Sequence, residues 1–147
     1  LEMFPDAKFI HIHRHPVDVF QSFRHYHDTA MWHTYLQRPD RSAIDDQIIR
    51  RYRELYGAFF EDVPKIPAGN FHEVAFADLE RDPLAVTASI YDALSLPDFE
   101  NAKPKIERYV GTLHGYEKNS LTALDESELG RLRESWSGIY ERWGYQL

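Results

Sequence analysis

The sequence predicts an α/β fold with a layered, parallel sheet, and three observations carry that prediction. The stretch "AKFIHIHR" (residues 7–14) alternates and is rich in β-branched residues, as a strand does, and Pro16 then suits the first turn of a helix. A second apolar run, "FHEVAF" (71–76), follows the turn cluster "PAGN" and leads to a helix opened by Asp82 and Pro83. Between and after these units lie long amphipathic stretches with helical spacing. A strand followed at once by a helix, used twice, is the signature of parallel strands with crossover connections.

Each element has its own pattern. From Pro16, the residues Val17, Val19, Phe20, Phe23 and Tyr26 gather on one side of a first helix. Residues 43–60 predict a second, with Ile44, Ile48, Ile49, Tyr52, Leu55, Tyr56 and Phe59 as its apolar stripe. "PLAVTASIYDALSL" (83–96) predicts a third. A last helix spans roughly Glu126 to Trp143, with a stripe of Leu129, Leu132, Trp136, Ile139, Tyr140 and Trp143, and Gly144 ends it. Two strands make a poor sheet, and both runs are apolar enough to want cover on two faces. The expectation is a single domain over 1–147 that is part of a larger one, with further strands before residue 1; the opening Leu in place of Met points the same way.

Composition narrows the function classes. At 147 residues, 43% hydrophobic and 14% aromatic, the chain has the means to build a core. Its net charge is −7, and residues 1–60 are balanced, with eight basic and eight acidic side chains. No basic surplus marks a nucleic-acid partner. There is no cysteine, which excludes disulfides and thiolate metal sites and fits a cytoplasmic setting. No apolar run reaches the roughly 20 residues of a membrane span.

The first strand ends in an unusual cluster. His11, His13 and His15 stand two apart, with His25 and His27 on the following helix. A metal site is weighed and set aside, because Pro16 breaks the strand and no carboxylate has ligand spacing. His11 and His13 read instead as a strand face packed against polar neighbours. Ligands of open parallel sheets bind beyond the carboxyl ends of the strands, which is where Arg14, His15 and Pro16 fall. Ser22 lies on the edge of the helix stripe, near Asp18 and Tyr26. Arg14 and Ser22 could together hold a phosphate, by a forked cation and a hydroxyl donor. On spacing alone, a surface arginine and a boundary serine remain the simpler reading.

The residues around them resemble a known family. Lys8, Phe9, Ile10, Ile12, Arg14, Pro16, Asp18 and Ser22 fit the pattern K-φ-φ-x-φ-x-R-x-P-x-D-x-x-x-S (φ apolar) of sulfotransferases that use 3′-phosphoadenosine 5′-phosphosulfate (PAPS). A second landmark is similar to "Y-E-D-L-x-x-D-P": Asp78, Leu79, Asp82 and Pro83 match, whereas Phe76 and Ala77 replace Tyr and Glu. His114, Tyr116, Ser120 and Leu121 are similar to the H-x-Y-x-x-x-S-L ending of bacterial-type members.

The resemblance implies a three-layer α/β/α, P-loop NTPase-like sulfotransferase fold, of which this chain is the C-terminal part. It implies that Arg14 and Ser22 bind the 3′-phosphate of PAPS, and it makes Lys118 a third candidate contact. It implies a sulfuryl transfer to a hydroxyl or amine of a small-molecule, lipid or glycan acceptor, with no metal. His15 then reads as adjacent to the cofactor and not as catalytic. The chain has no Gly-rich phosphosulfate loop, so that loop and the general base are expected upstream of residue 1. Trp32 and Tyr35, placed toward the end of the first helix, point to an apolar or sugar-like acceptor. The rival readings are a non-catalytic nucleotide-binding or protein-interaction module and a fragment of a P-loop kinase relative.

Overall fold

A computed structural model describes residues 2–37, 39–113, 115 and 121–146. In chain order its elements are β1 (Phe9–His13), α1 (Pro16–Thr29), a 3₁₀ turn (Met31–Thr34), α2 (Arg41–Asp62), a 3₁₀ turn (Val63–Lys65), β2 (Phe71–Ala75), α3 (Phe76–Arg81), α4 (Pro83–Ala93), α5 (Phe99–Thr112), α6 (Glu126–Ser135) and α7 (Ser137–Trp143). The chain packs into two compact units, each made of two segments. The first comprises Leu1–Arg14 with Asp62–Lys118, and the second His15–Glu61 with Asn119–Leu147.

The first unit holds the sheet. β1 and β2 pair in parallel, with Phe9 opposite Phe71 and His13 opposite Ala75, so the expected α/β character with a parallel sheet stands. Alternation puts Phe9, His11 and His13 on one face and Ile10 and Ile12 on the other. Val74, opposite Ile12, is buried against Ile90 and Leu94 of the α4 region. That cover stops at β2: Ile10 and Ile12 remain 47% and 48% exposed. The histidine side is the better packed one, because His11 Nδ1 meets Glu73 Oε1 at 3.3 Å and His13 is buried. α4 opens as its sequence predicts, with the Asp82 carboxylate accepting from the Ala85 N–H at 2.9 Å and Pro83 in the first turn.

Two expectations in this unit are corrected, and one helix is added to them. Phe76 starts a helix and does not end the strand. α4 stops at Ala93, three residues early, where Ser95 turns to φ +50°. α5 has no counterpart among the expected elements; it forms with Pro104 and Gly111, both poor helix formers, inside it.

The second unit is a helical cluster around Phe20, Ile44, Ile48, Ile49, Tyr52, Tyr56, Leu132, Trp136, Ile139 and Tyr140. The stripe of α1 differs from its expected course. Phe23 and Tyr26 point to solvent, and the inward positions after Phe20 pass to Arg24. The Arg24 guanidinium donates to both Asp45 oxygens, at 2.7 and 2.6 Å, and to Glu128 Oε1 at 2.6 Å, while lying over the Phe20 ring at 4.5 Å. Asp45 is therefore a buried member of the α2 stripe, whereas Leu55, expected there, is exposed.

The expected last helix is two helices. The backbone departs from helical geometry at Trp136 (φ −124°, ψ 23°), whose indole is 1% exposed and donates from Nε1 to the Ile49 carbonyl at 3.0 Å. A capping box starts α6: the Asp125 carboxylate accepts from the Glu128 N–H and the Glu128 carboxylate from the Asp125 N–H, both at 2.9 Å. Gly144 ends α7 at φ +65°, a left-handed conformation that glycine adopts without steric cost.

Candidate functional site

In the first unit, the residues after β1 and β2 leave the sheet at the same end. His13 and Ala75 are the last paired residues, so Arg14 and Phe76 follow as the next pair outward. Arg14 is half-buried, and its guanidinium carbon sits 4.8 Å from the centroid of the Phe76 ring. Such a cation–π contact contributes about 0.5–1 kcal/mol. Phe76, which departs from the family pattern in the sequence, keeps the aromatic face and gives up only a hydroxyl. Asp78 and Arg81 of α3 form an exposed ion pair at 2.6 Å nearby in sequence.

In the second unit, α1 begins with an imidazole cap. His15 Nδ1 accepts from the Val17 N–H at 3.2 Å, and its Nε2–H donates to the Gln146 carbonyl at 2.7 Å. These two partners select the neutral tautomer with the proton on Nε2. Tyr145 and Tyr140 hold the ring edge-on, at 5.0 and 6.1 Å between centroids. Both nitrogens are thus engaged in structure. The sequence carried a signal for this role, since the residue before a proline at the first helical position is the cap. A shallow depression of about 380 Å³ lies beside this helix start, lined by His15, Val17, Asp18 and Leu129.

The candidate residues are distributed as follows. Arg14 is in the first unit, at the carboxyl end of β1. Ser22 is in the second, exposed on the second turn of α1. Lys118 lies outside the described residues, as do His114, Tyr116 and Ser120. Trp32 and Tyr35 are not on α1, which ends at Thr29; Trp32 sits in the 3₁₀ turn and Tyr35 follows it. Among the described residues, no three His, Asp or Glu side chains converge as a metal site would require. Nor is any described helix long and apolar enough to cross a membrane.

Comparison with known proteins agrees with the pattern around Arg14. A model described as the Sulfotransferase family matches residues 1–101. The chain belongs to the sulfotransferase family. The match takes in β1, α1, α2, β2, α3 and α4, and with them Arg14, Ser22, Phe76 and Asp82. Two relatives, the omega-hydroxy-beta-dihydromenaquinone-9 sulfotransferases Stf3 of Mycobacterium bovis and Mycobacterium tuberculosis, are each 34% identical to it over 145 residues. The alignment covers 99% of this chain and 37% of each relative, so the chain spans little more than a third of their length. No solved structure matches the chain.

Proposed function

We propose that the chain contributes the 3′-phosphate half of the PAPS site in an enzyme that transfers a sulfuryl group to a lipid alcohol. The observation that carries this reading is the position of Arg14. It closes the K-φ-φ-x-φ-x-R pattern at the carboxyl end of a parallel strand, where ligands of open sheets bind, with its guanidinium carbon 4.8 Å from the centroid of the Phe76 ring. In this reading the Arg14 fork holds two phosphate oxygens, the Ser22 hydroxyl donates to a third, and Lys118 adds a cation. The phosphosulfate supplies an activated sulfuryl group: the acceptor oxygen bonds to sulfur as the bond to the bridging oxygen breaks. Adenosine 3′,5′-bisphosphate then leaves. In this reading a base takes the acceptor's proton, and neither that base nor the grip on the 5′-phosphosulfate is assigned to a residue of this chain. The lipid acceptor is favoured because both named relatives act on an omega-hydroxy dihydromenaquinone.

Calorimetry with adenosine 3′,5′-bisphosphate tests the assignment, with adenosine 5′-monophosphate as the control lacking the 3′-phosphate. A bidentate charge-assisted contact of about 1.5–3 kcal/mol predicts a roughly 10- to 150-fold loss in Arg14→Ala. Ser22→Ala loses about 3- to 10-fold. The reading fails if the two nucleotides bind alike, or if Arg14→Ala binds the bisphosphate as the parent does.

A further inference from the structure

Within the first unit, the apolar stripe of α5 outruns its cover. At about 100° per residue, Phe99, Ala102, Ile106, Tyr109, Val110 and Leu113 fall on one side of the helix. Phe99 anchors the first turn on Tyr91 of α4, with 5.2 Å between ring centroids. Toward the other end the same stripe meets solvent. Tyr109 is 65% and Leu113 46% exposed, and no residue of α5 is buried.

The charges beside this exposed end are of one sign. Lys105 stands one turn before Tyr109, and Arg108 immediately before it. Three apart on the helix, they are like charges at neighbouring positions, which costs helix stability when nothing opposes them. No carboxylate stands three or four residues from either one. Glu100 and Glu107 fall about 160° or more around the helix from Tyr109. Among the described residues neither cation has an ion-pair partner, whereas Arg41, Arg50, Lys65, Arg81 and Arg131 each meet a carboxylate. In a chain of net charge −7, this helix end keeps two cations unopposed beside two exposed apolar side chains.

We propose that this end of α5 docks on an anionic lipid surface, lying in the plane of the headgroups. Headgroup phosphates oppose Lys105 and Arg108, whose aliphatic stems can lie along the surface while their charges stay in water. The Tyr109 ring, apolar with a hydroxyl at its tip, suits the boundary between headgroups and acyl chains, and Leu113 enters the apolar layer beneath. Two other occupants fit less well. A nucleic acid would answer the two cations but not Leu113. A second copy of the chain carries the same two cations, so a two-fold pairing of this face would set like charges against each other.

Co-sedimentation of the full chain with vesicles tests the inference. Vesicles of phosphatidylglycerol and phosphatidylcholine in equal parts should carry the chain down at low salt, and vesicles of phosphatidylcholine alone should not. A cation at an anionic surface contributes about 5-fold in affinity, so Lys105→Gln combined with Arg108→Gln weakens binding about 30-fold. Leu113→Ser weakens it about 3- to 10-fold. Arg53→Gln removes an exposed cation of α2 that likewise has no ion pair among the described residues, and it leaves binding unchanged. All these positions face solvent, and an unchanged melting temperature verifies that each variant folds. The inference is overturned if the chain stays in solution with the anionic vesicles, or if the double variant binds as the parent does. It is also overturned if Arg53→Gln costs as much as the double variant. A dimer in sedimentation velocity that Tyr109→Ser dissolves would give the face to a second copy and overturn it as well. No nucleotide is present in this test, so its failure is separate from that of bisphosphate binding.

Discussion

Replacing Arg24 tests whether a charged residue can substitute for an apolar one in the stripe of α1. Its side chain is 15% exposed and that of its main partner, Asp45, 9%. Arg24→Met keeps the aliphatic stem over Phe20 but removes two short bonds to Asp45 and one to Glu128. Glu128, a third exposed and also bonded to the Asp125 N–H, can turn to solvent; Asp45 cannot. Stranding a buried carboxylate costs about 3–5 kcal/mol. Changing both partners, in Arg24→Met with Asp45→Leu, removes the stranded charge and should recover most of that loss. Urea unfolding followed by Trp136 fluorescence gives the four corners of the cycle, and a coupling of about 2 kcal/mol or more is expected. The guanidinium pKa is raised, first by hydrogen bonding to Asp45 and then to Glu128, against a lowering by burial. A raised cation contributes its full stability below its ordinary value, so the coupling should not change between neutral pH and pH about 10. A cost below about 1 kcal/mol for Arg24→Met, or strict additivity in the double variant, would refute the reasoning.

Two other outcomes follow from the tyrosines of the same core. The Tyr140 hydroxyl is buried with no hydrogen-bond partner among the described residues, so Tyr140→Phe should leave thermal stability unchanged or raise it by about 1 kcal/mol; a comparable loss would reveal a partner. Burial raises the Tyr52 phenol, with a further push from Tyr56, and burial also raises Tyr140. Because their neutral forms are favoured in the folded state, stability should fall as pH rises past the ordinary phenol value of about 10. In an absorbance titration of the nine tyrosines, these two should ionise last, together with unfolding.

The two strands, the proline-started helices and the Asp82 cap were legible because each is a local signal: alternation, a fixed φ, a carboxylate before a proline. Arg14 was legible for the same reason, as the end of a strand inside a recognisable spacing. What escaped the sequence depends on partners far along the chain. Arg24 reads as a solvated cation until Asp45 and Glu128, 21 and 104 residues away, are seen beside it. The break at Trp136 is invisible to periodicity, because the apolar spacing runs through it; its indole answers to Ile49 on another helix. α5 forms with a proline and a glycine inside it, against helix propensity. Of the residues lining a cavity in the second unit, the sequence singled out Trp32 and Tyr35; that they share it with His27, Asp28 and Ile44 could not be read, since its walls come from two helix ends and the irregular segment between them, with no period to follow.

The interleaving of the two units has a practical consequence for dissecting the protein. The core of the second unit takes Phe20 and the α2 stripe from one segment, and Leu132, Trp136, Ile139 and Tyr140 from another. Neither unit can therefore be cloned as one uninterrupted stretch. The chain instead lends itself to a split reporter: a piece ending before α6 and a peptide carrying α6 and α7 share an apolar interface joined by the Trp136 bond to Ile49 and edged by the Arg24–Glu128 ion pair. Mixing the two should restore buried tryptophan fluorescence that neither fragment has alone.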